Sequence, residues 1–274
     1  NFILSMKKWG GDYIDKSYGH SFRRWLKSEN SEPYNSWGNG SAMRVSPCGW
    51  VAKLSEPFEE GLKLTEDLAK KSAEVTHNHP EGIKGAQATA AAIFFMHHGK
   101  SKNAIEEYKN KLKDYIQNKY KYNLNFTLNE IRPSYAFNES CQKTVPQAIV
   151  SFLESENFED AIRNAISIGG DSDTLAAITG SIAEAAYGIP ENIKEKAISY
   201  LDNEIKEVYN QISAKGIKAI VSTFFEHSNE SSEILLKSDI YALGLDFVSG
   251  NKNFDILQKF SKSGKILYAG IIDG

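Results

Sequence analysis

The residues with the clearest chemical potential lie in one acidic segment, which reads Gly-Gly-Asp-Ser-Asp-Thr-Leu-Ala from Gly169 to Ala176. Asp171, Asp173 and Thr174 place three oxygen donors within one turn, and Mg²⁺ and Mn²⁺ prefer oxygen ligands. Aspartate and threonine at a helix start also cap free backbone amides, so Asp173 or Thr174 could act as a cap alone. Capping does not require both carboxylates, however. The segment therefore predicts part of a magnesium or manganese site, which would need further ligands from elsewhere.

A second candidate segment is rich in glycine and runs Gly38-Asn39-Gly40-Ser41-Ala42-Met43-Arg44. Glycines on both sides of Asn39 permit positive φ and a close approach of the backbone to a ligand. On its own, Gly-Asn-Gly is only a turn signal. Arg44 could bind a phosphate through two parallel hydrogen bonds or pair with a structural carboxylate, and we favour the structural role.

A third segment, Thr76-His77-Asn78-His79-Pro80-Glu81-Gly82, carries two histidines at positions i and i+2. No third nitrogen or sulfur ligand stands at a spacing that suits zinc. The functional interpretation of His77 is a hydrogen bond to a substrate or to a carboxylate of the metal site. The alternative is a histidine satisfied within a loop, which we favour for His79.

The elements that would hold these segments are helices, because apolar residues recur at helical spacing up to about Gln211. Glycine and proline breakers separate predicted helices over residues 86–98, 103–120, 145–153, 158–168, 174–187 and 193–212. The helix over 174–187 is rich in small residues and would hold the acidic segment on a rigid, closely packed element.

The pattern changes at Gly216, where short β-rich runs alternate with short helices. Strands are predicted over residues 217–225, 240–248 and 265–272, and helices over 231–237 and 253–260, which is typical of βαβ units with a parallel sheet. The predicted fold class is mainly α. An all-α domain over residues 1–213 precedes a small βαβαβ segment over residues 217–274.

The composition is that of an ordinary globular protein, with 41% hydrophobic residues, 24% charged residues and a net charge of −3. Charges of both signs are mixed along the chain, which argues against sequence-specific nucleic-acid binding. No apolar run in the helical region is long enough to span a bilayer. Cys48 and Cys141 are the only cysteines, and we expect reduced thiols in a cytoplasmic protein.

The three segments, in this order, resemble the ADP-ribosylglycohydrolase family, which includes the dinitrogenase reductase-activating glycohydrolases. The resemblance covers about residues 1–213 and implies an all-α fold with two Mg²⁺ ions, or Mn²⁺ ions, in a central cleft. It implies that Asp171, Asp173 and Thr174 are metal ligands. It also implies that ADP-ribose lies against a set of residues from the other two segments: Gly38, Asn39, Gly40, Ser41, Met43 and His77.

The resemblance implies a hydrolase that cleaves the N- or O-glycosidic bond between ADP-ribose and an acceptor, which could be a protein side chain or a small molecule. In such a reaction metal ions orient the ribose hydroxyls and an attacking water, and a carboxylate transfers a proton. The family's amino-terminal Thr-Asp-Asp-Thr motif and the acidic catalytic residue before it have no match here. The nearest string, Thr65-Glu66-Asp67, lies downstream of the glycine-rich segment.

The missing motif leaves the catalytic residue unassigned and keeps two functional alternatives open. The first residue is Asn1 rather than Met, inside a helix-like stretch, so we expect a fragment of a longer protein. This chain could be a magnesium-dependent hydrolase with impaired activity, or a non-catalytic ADP-ribose-binding module or inactive fragment.

The tail, residues 217–274, is similar to a piece of the amino-terminal barrel of cobalamin-independent methionine synthases. The matching strings are Val221-Ser222-Thr223-Phe224-Phe225, Gly244-Leu245-Asp246-Phe247-Val248 and Ala269-Gly270-Ile271-Ile272-Asp273-Gly274. Three strands cannot close an eight-stranded barrel. No cysteine follows Cys141, so the tail has no catalytic zinc motif, and we expect it to have no activity of its own.

Overall fold

A computed structural model of the chain describes residues 2–200, residue 207, and residues 220–222, 242–246 and 266–270. The chain divides into two compact units, residues 1–188 and residues 189–274. The domain boundary predicted between residues 212 and 217 lies outside the described residues and stays a prediction.

The first unit is all-α, as predicted. Its helices are α1 (Phe2–Asp12), α2 (His20–Lys27), α3 (Gly40–Met43), α4 (Phe58–Glu74), α5 (Pro80–Ser101), α6 (Ile105–Tyr115), α7 (Leu128–Ile131), α8 (Val145–Leu153), α9 (Phe158–Ser167) and α10 (Ser172–Tyr187). Short 3₁₀ turns cover Ser46–Trp50 and Cys141–Lys143, and a π-helical turn covers Ile116–Tyr120.

Helix α5 is the centre of this unit. It packs against α3, α4, α6, α8 and α10, and it is buried along most of its length, including the fully buried Ile93, Phe94 and Met96. Alanines at positions 86, 88 and 90–92 keep this helix narrow, which lets its neighbours approach closely. The predicted alanine-rich helix is confirmed, and it is longer than predicted because Pro80 starts it earlier.

The start of α5 is fixed by His79. Its Nδ1 accepts a hydrogen bond of 3.1 Å from the backbone amide of Glu81, which satisfies one of the free amides of the first turn. The structural interpretation of His79 is confirmed. Asn157 caps α9 in the same way, through a 2.9 Å hydrogen bond from the amide of Asp160.

The predicted helix over residues 103–120 is observed as α6 followed by the π-helical turn. The wider turn brings Tyr115, Lys119 and Tyr120 to one side, where all three donate hydrogen bonds to the carboxylate of Glu66 on α4. Glu66 belongs to the string nearest to the missing acidic motif. Its carboxylate is buried in this network and binds protein groups.

The described part of the second unit contains α11 (Glu191–Ser199) and three short strands, β1 (Ile220–Ser222), β2 (Ala242–Asp246) and β3 (Ile266–Gly270). The strands form a parallel sheet in the order β1-β2-β3, with Ile220 opposite Ala242 and Ala242 opposite Ile266. The predicted parallel strands are confirmed. The helices predicted over residues 231–237 and 253–260 lie outside the described residues.

Among the described residues, every helix is too short or too polar to cross a lipid bilayer. Cys48 and Cys141 are buried free thiols, as expected from the sequence.

Candidate functional site

The glycine-rich segment is held in place by pairing with a second loop. Gly38 and Ser140 form an antiparallel β-bridge, and the amide of Asn39 donates a 2.7 Å hydrogen bond to the carbonyl of Glu139. The amide of Cys141 donates to the carbonyl of Trp37 at 3.1 Å. These bonds fix the backbone ahead of α3 against the loop ahead of α8.

The acidic segment turns sharply before α10 because Gly169 and Gly170 have φ values of +74° and +70°. A Cβ at Gly170 would lie 2.5 Å from the ring of Tyr135, so both the conformation and the packing require glycine there. Helix α10 begins at Ser172, with Asp171 at the cap position. Asp171 makes no capping hydrogen bond, and its carboxylate points to another partner.

That partner is Asn39. Its side-chain amide donates hydrogen bonds to Asp171 Oδ2 at 2.6 Å and to Thr144 Oγ1 at 3.1 Å. Asn39 is 7% exposed and Asp171 is half-buried, so this link between the two sequence motifs is partly shielded from water. Thr144 in turn donates to the carbonyl of Asn138. One amide therefore joins the glycine-rich segment, the loop before α8 and the acidic segment.

The carboxyl of Asp171 lies in an unfavourable place for a negative charge. Burial raises its pKa above the usual range, a hydrogen bond from Asn39 opposes the rise, and the Asp173 carboxyl beside it adds to the rise. Thr174 completes the set: its hydroxyl is buried and lies 3.6 Å from Met43 Sδ. Two adjacent carboxylates and a hydroxyl are a donor set that fits a hard divalent cation, which would relieve the repulsion between the carboxylates.

His77 lies on the other side of the glycine-rich segment. Its Nε2 faces the two glycines, because a Cβ would lie 3.5 Å from that atom at Gly38 and 3.3 Å at Gly40. Its Nδ1 is 2.7 Å from Thr76 Oγ1. Burial, with the positive charge of Arg44, lowers the pKa of His77 to about 3, so the ring is neutral at physiological pH.

Arg44 is structural, as favoured from the sequence, but its partners are uncharged. Its guanidinium donates to the carbonyl of Ser72 at 3.0 Å and to Thr76 Oγ1 at 2.9 Å. Burial lowers the pKa of Arg44 to about 10, so the group remains a cation at neutral pH.

An open cavity of about 630 Å³ lies beside the glycine-rich segment. It is lined by two chain segments, residues 34–38 and 137–140, and by Ser21. Two of its aromatic side chains reach far into solvent, with Trp37 54% and Phe137 63% exposed. Exposed aromatic rings at the mouth of a cavity can stack on a flat heterocycle.

The structure thus brings the predicted site residues together in pairs. Asn39 contacts Asp171, Met43 contacts Thr174, and His77 packs against Gly38 and Gly40. Ser41 behaves differently, because its buried hydroxyl donates to the carbonyl of Gly82. Ser41 is 0% exposed, so its hydroxyl is engaged within the protein.

Three neighbours of the site have no signal in the sequence. Thr144, Tyr135 and Phe137 lie between predicted helices, in a stretch without a motif. The long-range pairing of their loop with residues 37–39 brings them to the site. Within the part of the chain that the structure describes, no group of three or more histidine, cysteine, aspartate or glutamate side chains surrounds a point.

Comparison with known proteins identifies the family. The family model for ADP-ribosylglycohydrolase matches residues 4–229. The chain belongs to the ADP-ribosylglycohydrolase family. Residues 193–274 match the model for the amino-terminal domain of cobalamin-independent synthases, so the two matches overlap over residues 193–229.

Two individual relatives show the extent of the similarity. An ADP-ribosyl-[dinitrogen reductase] glycohydrolase from Rhodospirillum rubrum is 26% identical over 70% of this chain and 61% of its own length. An uncharacterized protein from Archaeoglobus fulgidus is 33% identical over 56% of this chain and 50% of its own length. The chain therefore spans between half and two-thirds of these relatives.

The tail has its own relative. A 5-methyltetrahydropteroyltriglutamate–homocysteine methyltransferase from Desulforamulus reducens is 43% identical over 68 residues, which are 24% of this chain and 9% of that protein.

Proposed function

We propose that this chain is the ADP-ribose-binding part of a magnesium-dependent hydrolase that cleaves the N- or O-glycosidic bond between ADP-ribose and an acceptor. The observation that carries the proposal is the 2.6 Å hydrogen bond from Asn39 to Asp171. It joins the acidic segment to the glycine-rich segment, whose Gly38 lines the cavity, and the proposal is that a ligand in the cavity has one end near the oxygen donors.

The cavity has a suitable size, since small-molecule pockets of about 300–1,000 Å³ hold ligands of this class. A flat base would stack on Trp37 and Phe137, and the ribose that carries the scissile bond would lie towards Asp171. Gly38 lines the cavity, so the ligand would meet main chain at that position, without a side chain in between. His77 is neutral, and it would bind by hydrogen bonding and would not act as an acid.

Asp171, Asp173 and Thr174 would hold Mg²⁺, or Mn²⁺, which supplies the polarisation of the ribose hydroxyls and of water when it is bound. The chain's own contribution is positional. Asn39 and Thr144 orient Asp171, and Met43 lies against Thr174. Two ions are proposed for the complete site because the family resemblance implies them, and three protein oxygens would leave most of two octahedral shells to be filled by other ligands.

The acceptor would be an ADP-ribosylated protein or a small molecule, and the reduced state of Cys48 and Cys141 is consistent with a cytoplasmic location. A non-catalytic ADP-ribose-binding module is the second candidate. The observation in its favour is that, within the described residues, no three acidic, histidine or cysteine side chains are grouped so that they could hold a metal ion.

Release of ADP-ribose separates the two candidates. Peptides carrying ADP-ribose on arginine or on serine are incubated with the chain, with Mg²⁺ or with a chelator, beside an Asp171→Ala, Asp173→Ala double variant. The hydrolase proposal expects Mg²⁺-dependent release from at least one peptide and none with the variant. Binding of ADP-ribose without release from either peptide would favour the binding module.

A further inference from the structure

A chain of hydrogen bonds leads from Arg44 through Thr76 to His77. Arg44 Nη2 lies 2.9 Å from Thr76 Oγ1, and the same oxygen lies 2.7 Å from His77 Nδ1. Thr76 and His77 are buried, at 0% and 5% exposure. The geometry is therefore protected from competition by water.

The hydrogen-bond donors along this series of three side chains can be counted. A guanidinium has no acceptor, so Thr76 Oγ1 must accept the hydrogen bond from Arg44. The protonated hydroxyl of Tyr34 also hydrogen-bonds Thr76 and can donate to the second lone pair of Oγ1. This leaves the one hydrogen of the threonine hydroxyl for Nδ1 of a neutral imidazole to accept. The hydrogen of the neutral ring is then on Nε2, the atom that faces Gly38 and Gly40.

The charge of Arg44 favours the same arrangement. With the hydrogen on Nδ1, the ring would direct a second N–H at a hydroxyl that already accepts from a cation. With the hydrogen on Nε2, the lone pair of Nδ1 is on the side of the guanidinium. The field of Arg44 therefore stabilises the tautomer that the donor count gives.

We infer that Thr76 and Arg44 are positioning residues that hold His77 in the Nε2–H tautomer, with this N–H directed at the glycine-rich segment. The ring then offers one hydrogen-bond donor to an oxygen of a ligand at the edge of the glycine-rich segment. The identification of that ligand as ADP-ribose depends on the proposed function. The tautomer itself does not depend on it.

The ring nitrogens of the whole chain, labelled with ¹⁵N, report the tautomer directly in a two-bond ¹H–¹⁵N correlation spectrum near neutral pH. The signals of His77 are those missing from the spectrum of His77→Gln. The inference expects a protonated Nε2 and an unprotonated Nδ1 in the wild type and in Thr76→Ser, which keeps the hydroxyl. Thr76→Val keeps the shape without the hydroxyl, and we expect a mixture of tautomers and about tenfold weaker ADP-ribose binding.

A wild-type ring protonated on Nδ1 would overturn the inference, and so would a Thr76→Val spectrum identical to that of the wild type. Arg44→Met provides a second variant, which is expected to move the tautomer ratio in the same direction as Thr76→Val. If the wild-type ring is protonated on Nε2 but ADP-ribose does not bind, the proposed function fails while the positioning of His77 stands.

Discussion

Two acidic sites in the helical unit differ in how their negative charge is compensated. The carboxylate of Glu66 accepts hydrogen bonds from Tyr115, Tyr120 and Lys119. Burial raises the pKa of both tyrosines, and Glu66 adds to the rise, so their hydroxyls remain protonated donors. Glu66 is a negative charge that the protein itself neutralises.

Asp171 has the opposite surroundings. A second carboxylate, that of Asp173, lies beside it, and the donors near it are the uncharged side chains of Asn39 and Thr174. No described Lys or Arg forms an ion pair with either aspartate. An acidic residue paired with a cation of the protein is structural, whereas two adjacent acidic residues without such a partner are suited to bind a cation from solution.

The largest effect is expected from Glu66→Ala. It leaves the buried hydroxyl of Tyr120 and that of Tyr115 without their acceptor, and we expect a loss of about 3–4 kcal/mol in the free energy of unfolding. Urea unfolding measures this loss. Asp67→Ala on the same helix is the matched control, because its ion pair with Lys63 is exposed, and it should change stability by less than about 1 kcal/mol. Equal effects for the two variants would contradict the structural role of Glu66.

A smaller loss is expected from Gly170→Ala, which tests the turn that presents the acidic segment. The alanine would have a positive φ, and its Cβ would lie 2.5 Å from the ring of Tyr135. We expect a loss of about 2–3 kcal/mol in the free energy of unfolding. Gly169→Ala has a similar φ but no heavy atom within 4 Å of the new Cβ, and it should cost about 1 kcal/mol. Thermal unfolding of the two variants separates the effect of steric overlap from that of backbone strain. If the Gly169→Ala variant is as unstable as the Gly170→Ala variant, the contact with Tyr135 is not the cause.

The pH dependence of stability is expected to include a contribution from His77. Its pKa is about 3 in the folded chain, compared with an ordinary value of 6.5. Between these pH values the ring is protonated in the unfolded chain and neutral in the folded chain. Stability is therefore lost as pH falls below 6.5 towards 3. Between neutral pH and about pH 4.5 the wild type should lose about 2–3 kcal/mol of unfolding free energy that the His77→Gln variant keeps.

Urea unfolding at both pH values measures this difference, and His20→Gln, at an exposed position, is the control for the change of side chain. A wild type and a His77→Gln variant that lose stability in parallel on acidification would show that the ring is charged in the folded chain.

The smallest effect on stability is expected from Asp173→Asn, which removes the repulsion next to Asp171. Without metal, the free energy of unfolding should rise by no more than about 0.5 kcal/mol, because Asp173 is exposed. The midpoint of thermal unfolding should rise slightly as a result. Added Mg²⁺ should raise the midpoint of the wild type but not that of the variant. A variant that responds to Mg²⁺ like the wild type would place the ion elsewhere.

Much of the fold could be predicted from local sequence signals. Helix α8 has the predicted bounds, and α9 and α10 end within one residue of the prediction or at it, because proline, asparagine and glycine mark their ends. The parallel strands follow from short apolar runs at regular intervals. The π-helical turn could not be predicted, since it depends on the contact of Tyr115 and Tyr120 with Glu66, about fifty residues away in the chain.

The site was predicted as three separate segments. The contacts between these segments could not be predicted from the sequence. Nothing in Gly38-Asn39-Gly40 indicates that the Asn39 amide would bond to Asp171, which is 132 residues away. The roles of Thr144 and Tyr135 likewise depend on a loop that is placed by long-range pairing. The residue types predicted which side chains could bind a metal ion or a ligand. Tertiary packing determined which of these side chains contact one another.

The acidic segment and the glycine-rich segment are proposed to form one ligand site. Calorimetric titration of ADP-ribose into this chain, with and without Mg²⁺, beside the Asp171→Ala, Asp173→Ala double variant, shows whether they do. We expect binding that strengthens with Mg²⁺ in the wild type and a loss of the Mg²⁺ effect in the variant. No binding of ADP-ribose under either condition, by a chain with intact helical structure, would contradict the account.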